Sequence, residues 1–98
     1  MESNAPPHGE SPALILLDLN ITGTDGLALL KEFRNCDWLR CSPITILTTS
    51  SNPADIKRCY ANGANAYIIK PVGLERFENL IANFVRFWFD TAVLPKQI

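Results

Sequence analysis

The chain has 98 residues, 47% of them hydrophobic, and a formal net charge of −1. That length suits one domain, and that apolar fraction excludes a disordered or fibrous chain. The near-neutral balance, with no Lys/Arg cluster, argues against a nucleic-acid partner, because phosphate contacts need concentrated positive charge.

The longest apolar run, Ala13 to Leu17, is far too short to cross a bilayer, so no membrane span is expected. No basic stretch leads into an apolar one near Met1, so no secretory signal is expected and a cytoplasmic location is. Cys36, Cys41 and Cys59 have no metal-binding spacing. They read as free thiols in a reducing compartment, buried or half-buried like other small apolar side chains. The one histidine, His8, lies in a stretch expected to be flexible, which leaves zinc without ligands.

Residues 1–12 carry three prolines, a glycine and several polar residues, and are expected to form a tail or loop. Ala13 to Leu17 then reads as a strand buried on both faces of a parallel sheet, ending at Asp18. Asn20 to Gly26 (NITGTDG) is loop chemistry, and Asp25 can cap the helix that follows. Leu27, Leu30 and Phe33 give that helix an apolar face, with Lys31 and Arg34 pointing elsewhere. Ser42-Pro43 leads into a second strand, Ile44 to Leu47.

Asn52-Pro53 is an N-cap followed by proline at the first helical position. Ile56, Cys59 and Tyr60 mark the inner face of this second helix, and Gly63 is its expected left-handed stop. A third strand, Ala66 to Ile69, ends at Lys70-Pro71. The last helix is expected from about Leu74 to Thr91, with Leu74, Phe77, Leu80, Ile81, Phe84 and Trp88 on one face. Strands alternating with helices predict an α/β fold: a parallel sheet with helices on both faces and its reactive site at the C-terminal strand ends. The expected organisation is a tail at 1–12, a partial domain at 13–91 and a C-terminal tail at 92–98.

Asp18, Thr48 and Lys70 each follow one of the three strands. An aspartate after a strand often only caps a turn, and lysine there is usually solvated. At successive strand ends of one parallel sheet, however, the three would converge. A carboxylate can attack phosphorus and hold an aspartyl phosphate, while an ammonium and a hydroxyl stabilise the equatorial oxygens. A divalent cation would normally complete such a site.

Three segments carry a specific resemblance. Leu14 to Asn20 (LILLDLN), followed by Asp25-Gly26, resembles the segment around the phosphorylated aspartate of response-regulator receiver domains in two-component signalling. Ile44 to Ser50 (ITILTTS) is similar to that family's fourth strand with its switch hydroxyl. Asn62 to Pro71 (NGANAYIIKP) is similar to its fifth strand, with the switch aromatic and the Lys-Pro pair. The match runs from about Pro12 to Phe89. Phe84 to Pro95 (FVRFWFDTAVLP) most resembles receivers that serve phytochrome-type kinases.

The resemblance implies a flavodoxin-like (CheY-like) fold and a function in a phosphorelay rather than an enzyme. Asp18 would accept phosphate from a sensor histidine kinase, Thr48 would bind a phosphoryl oxygen, and Tyr67 would rotate in response. Lys70 would contact the phosphate, with a cis Lys70–Pro71 bond. Asp18 and the backbone carbonyl of Asn20 would be magnesium ligands, and Ser50 would tune phosphate lifetime.

The family pattern has five strand–helix units, and this chain would hold the last three. The expected truncation removes the first strand and the acidic pair at its end; Met1 to Ser11 instead resembles the loop before the third strand. Mg2+ binding, and with it phosphotransfer, should then be impaired. The first strand here would expose an edge that invites self-association. The last helix would leave Phe87 and Phe89 partly uncovered and open to self-association too. Gly73 stands where a side-chain cap is usual.

Two alternatives remain open at this point. One is a pseudo-receiver or protein-interaction fragment that is not phosphorylated. The other is a haloacid dehalogenase-like phosphatase, suggested by Asp18-Leu-Asn-Ile-Thr22; Asn20 stands there in place of that class's second acid and cannot exchange a proton as it does.

Overall fold

Residues 14–20 and 25–95 are described by the computed structural model. The expected tail at 1–12, His8 and the middle of the Asn20–Gly26 loop lie outside the described residues. Three strands and three helices alternate in the expected order: β1 (Ile15–Asp18), α1 (Gly26–Arg34), β2 (Ile44–Thr48), α2 (Pro53–Ala61), β3 (Ala66–Ile69) and α3 (Leu74–Arg86). The strands form a parallel sheet in the order β1-β2-β3, with Ile15 opposite Ile44 and Thr45 opposite Ala66.

Local chemistry explains most boundaries. The Asp25 carboxylate accepts from the Leu27 N–H at 3.1 Å and starts α1. Asn52 does the same for the Ala54 N–H at 2.9 Å, with Pro53 fixing the first turn of α2. Gly63 ends α2 at φ 107, and a Cβ there would meet the Arg34 side chain at 2.7 Å. Gly73 precedes α3 at φ 99 without a side-chain cap.

β2 is the buried centre, with all five residues inside, because α/β packing covers both its faces and both its edges are paired. On one face Leu17, Ile44 and Ile46 pack with Leu30 of α1 and Cys59 of α2, and Tyr67 lies against this cluster. Alternation turns Thr45 and Leu47 to the other face. There a cavity of about 810 Å³ runs between Thr45 and Ile68 of the sheet and Leu80, Phe84 and Trp88 of α3.

Several expectations need correction. β1 begins at Ile15, and Leu16 is 40% exposed, so this strand is not buried on both faces. Its outer edge has no partner strand among the described residues, and the cavity beside α3 is not filled by them. Tyr60, assigned to the inner face of α2, is 48% exposed, because the sheet takes Cys59 and the next position turns out to solvent. Leu74, in the first turn of α3, is 72% exposed. Cys41 is exposed in the α1–β2 loop, while Cys36 is half-buried and Cys59 buried; all three are free thiols.

The last helix continues as a π-helical turn, Phe87–Thr91, where Phe84, Phe87 and Trp88 make tilted and edge-on ring contacts. Phe87 and Phe89 are half-exposed, as expected. Beyond it Leu94 is buried.

Arg34, expected to point away from the core, is instead a hub. Its guanidinium donates to the carbonyls of Gly63 (2.9 Å), Arg40 (2.9 Å) and Ser42 (2.8 Å) and to Asn65 Oδ1 (2.6 Å). Burial lowers its pKa from the ordinary arginine value. Those acceptors hold the charge, and together they tie the α1–β2 loop to the turn before β3.

Candidate phosphoacceptor site

Two of the three strand-end side chains, Asp18 and Lys70, meet across the end of β2, the strand that Thr48 closes. Asp18 closes β1, and its Oδ2 lies 2.9 Å from Lys70 Nζ, each side chain about 20% exposed. Lys70 reaches across β2 because the β2–β3 ladder runs one residue past the strand: its N–H donates to the Thr48 carbonyl at 2.7 Å. The Lys70–Pro71 bond, expected cis, is trans, like every peptide bond among the described residues. Trans is the intrinsically favoured X–Pro isomer by about 0.5–1 kcal/mol. The Lys70–Asp18 contact forms with it in place.

The second Asp18 oxygen accepts from the Asn20 N–H at 2.9 Å, which closes a turn directly after β1. The Asn20 side chain then bridges to the β2–α2 loop. Its Oδ1 accepts from the Thr49 N–H at 2.9 Å and its Nδ2 donates to Thr49 Oγ1 at 3.2 Å. Asn20 entered the sequence reading through its backbone carbonyl; its amide as a strut between two loops was missed. Nothing local reports that pairing, since the partners are 29 positions apart.

Thr48 is buried at the end of β2, and its Oγ1 accepts from the Ser50 N–H at 3.2 Å. The Tyr67 hydroxyl donates to the Ser50 carbonyl at 2.9 Å. The Ser50 hydroxyl donates to Asp55 Oδ2 and Arg58 donates to Asp55 Oδ1, both at 2.6 Å. These two hydrogen bonds, the Ser50 one first, hold the Asp55 carboxyl below its ordinary 3.8. A cavity of about 370 Å³ opens beside them, lined by Leu27, Thr48, Ser50, Asp55, Arg58 and Tyr67. Asp55 and Arg58 were both missed by sequence reasoning: their i,i+3 spacing on a helix is a local signal, whereas the link to Ser50 has none.

The donor set falls short of a magnesium site by itself. Asp18 and one carbonyl do not approach six oxygens in octahedral array. Among the described residues no group of three or more His, Cys, Asp or Glu could hold a metal ion. Neither is any helix among them long and apolar enough to cross a membrane.

A parallel sheet with an aspartate, a hydroxyl and a lysine at its three C-terminal strand ends defines a receiver-type α/β domain. The response regulator receiver domain model matches residues 5–82, and the chain belongs to that family of signalling domains. Particular relatives agree. The response regulator Rcp1 of Synechocystis is 36% identical over 84 residues, covering 86% of this chain and 57% of that protein. A probable methanogenesis regulatory protein, FilR2 of Methanothrix harundinacea, is 34% identical over 79% of this chain and 50% of its own length.

Among solved structures, the phosphorylated cyanobacterial phytochrome response regulator RcpA superposes with a TM-score of 0.80 at 38% identity, covering 86% of this chain and 60% of that one. The Mn2+-bound form of Rcp1 matches with the same TM-score at 34% identity, over 90% of this chain and 63% of that one. The chain thus spans half to three-fifths of the length of these relatives.

Proposed function

We propose that this chain is a phosphoacceptor module of a phosphorelay, in which Asp18 takes a phosphoryl group from a histidine of a sensor kinase. The observation that carries the reading is the Lys70 Nζ–Asp18 Oδ2 contact of 2.9 Å, formed across an intervening strand that ends in Thr48. A carboxylate oxygen of Asp18 attacks phosphorus, the phosphorus–nitrogen bond breaks, and the imidazole leaves as the new acyl phosphate forms. Lys70 stays beside the developing charge and screens it. Thr48 offers its hydroxyl to a phosphoryl oxygen, and Tyr67 follows through the Ser50 backbone, whose N–H meets Thr48 and whose carbonyl meets Tyr67.

Relatives support the finer assignment. By their own descriptions, RcpA is a phosphorylated cyanobacterial phytochrome response regulator, and a regulator at 33% identity and a TM-score of 0.78 acts in red light signalling of R. palustris. A phytochrome-type kinase in the cytoplasm is therefore the proposed donor. Divalent metal, Mn2+ in the Rcp1 structure, would need oxygen ligands in addition to Asp18 and the Asn20 carbonyl.

Acetyl phosphate with Mg2+ or Mn2+ tests the reading, by intact mass. The expected result is one phosphoryl increment, labile to hydroxylamine, that Asp18→Asn abolishes. An increment that survives Asp18→Asn, or none with either metal, overturns it for this chain and leaves the non-phosphorylated interaction module in its place.

A further inference from the structure

Ser50 is the junction of the switch. Its N–H donates to Thr48 Oγ1 at 3.2 Å and its carbonyl accepts from the Tyr67 hydroxyl at 2.9 Å. The hydroxyl-bearing residue and the aromatic residue of the site therefore hang on one peptide segment. The orientation of that segment is set from its side chain. The Ser50 hydroxyl donates to Asp55 Oδ2 at 2.6 Å and accepts from the Asn52 N–H at 3.2 Å, so both of its hydrogen-bonding directions are used.

Asp55 stands on α2, a regular helix started independently by Asn52 and Pro53. An acid at the third helical position commonly reaches back to its own cap residue. Here Asp55 reaches past the cap to Ser50, and Arg58 holds its other oxygen.

We propose that Asp55 is a positioning residue of the phosphoacceptor site, acting through the Ser50 hydroxyl to hold Thr48 and Tyr67 in one resting arrangement. This rests on the reading of Asp18 as the phosphoacceptor, and it adds a residue on α2 that touches neither Asp18 nor Lys70. The physical basis is leverage. A charge-assisted bond of 2.6 Å to a rigid helix fixes a loop residue that is otherwise held only by neutral contacts. Without that bond, the backbone on both sides of Ser50 can turn, and the bonds to Thr48 and Tyr67 are released together. A residue that served only α2 would affect helix stability and leave Tyr67 unmoved.

The chain has two tyrosines, Tyr60 and Tyr67, so fluorotyrosine labelling gives two 19F signals, and Tyr60→Phe assigns them. Asp55→Ala should shift or broaden the Tyr67 signal and leave Tyr60 in place. Amide exchange at residues 49–52 should rise roughly tenfold, the loss expected for one charge-assisted hydrogen bond. Ser50→Ala should reproduce both effects, and Ser50→Thr, which keeps the hydroxyl, should restore them. If Asp55→Ala does not fold, Ser50→Ala decides, because it removes a single oxygen. A Tyr67 signal and loop exchange unchanged in the folded variant overturn the proposal. These readouts need no phosphate, so a failure of acetyl phosphate to label Asp18 sinks the functional reading without touching them.

Discussion

Lys70 Nζ sits 2.9 Å from Asp18 Oδ2 although their strands are not neighbours. The lysine crosses the end of β2, and both groups are about 80% shielded, so the pair is screened less than a surface ion pair. Replacing Lys70 by Met leaves a half-enclosed carboxylate without its cation. The expected cost is about 1–2 kcal/mol of stability, the range for a partly solvated charged hydrogen bond. Urea denaturation reads that cost. Acetyl phosphate labelling of Asp18 should fall by roughly tenfold or more, since an electrostatic stabiliser of the transferred group is gone. Labelling at the wild-type rate would show that Lys70 is only a structural counter-ion.

Arg34 and Gly63 should be energetically coupled. Arg34→Met removes the donors that hold Gly63, Arg40, Ser42 and Asn65. It should cost about 1–3 kcal/mol by chemical denaturation, because the partly buried carbonyls of Gly63 and Ser42 lose a charged donor. Gly63→Ala forces a non-glycine residue to φ 107 and places its Cβ 2.7 Å from Arg34 Cγ. That change should cost about 1–3 kcal/mol. The steric part vanishes once the arginine side chain is shortened, so in an Arg34→Ala background Gly63→Ala should cost less than it does alone. Strict additivity would show that only the backbone conformation matters.

Asp55 should titrate below the ordinary 3.8, because the Ser50 and Arg58 bonds favour its charged form. A depressed folded-state pKa adds stability that is present above 3.8 and is lost as pH falls through the folded value. Carboxyl chemical shifts followed through acid titration should place its midpoint below 3.8 in the wild type. In Ser50→Ala the midpoint should move up. A wild-type midpoint at or above the ordinary value would mean that the Ser50 bond is not formed in solution.

The thiols should react in order of access. Cys41 is exposed, Cys36 half-buried and Cys59 buried. Burial, helped by the charge of Asp55, also raises the Cys59 pKa and keeps it protonated. A thiol reagent followed by mass spectrometry should modify Cys41 first, then Cys36, and Cys59 only on unfolding. Early modification at Cys59 would show that α2 opens from the sheet.

Much of this protein is legible in its amino-acid sequence. Apolar runs, Asp25, Asn52-Pro53 and Gly63 located every strand and helix among the described residues to within a few positions, because caps, breakers and periodicity act over a few bonds. Placing Asp18, Thr48 and Lys70 at three successive strand ends needed only the alternation of elements and the rule that parallel strands share one reactive edge. The tertiary structure alone decided what each side chain meets. Arg34 looked like a solvent-facing helix residue and became a hub, since its acceptors come from a loop and from a turn 29–31 positions away. Leu16 belonged to an unbroken apolar run yet is partly exposed, because burial of a strand face depends on neighbours that the run itself does not encode. The link from Tyr67 through Ser50 to Asp55 joins a strand, a loop and a helix, and only chain closure brings them within hydrogen-bond reach.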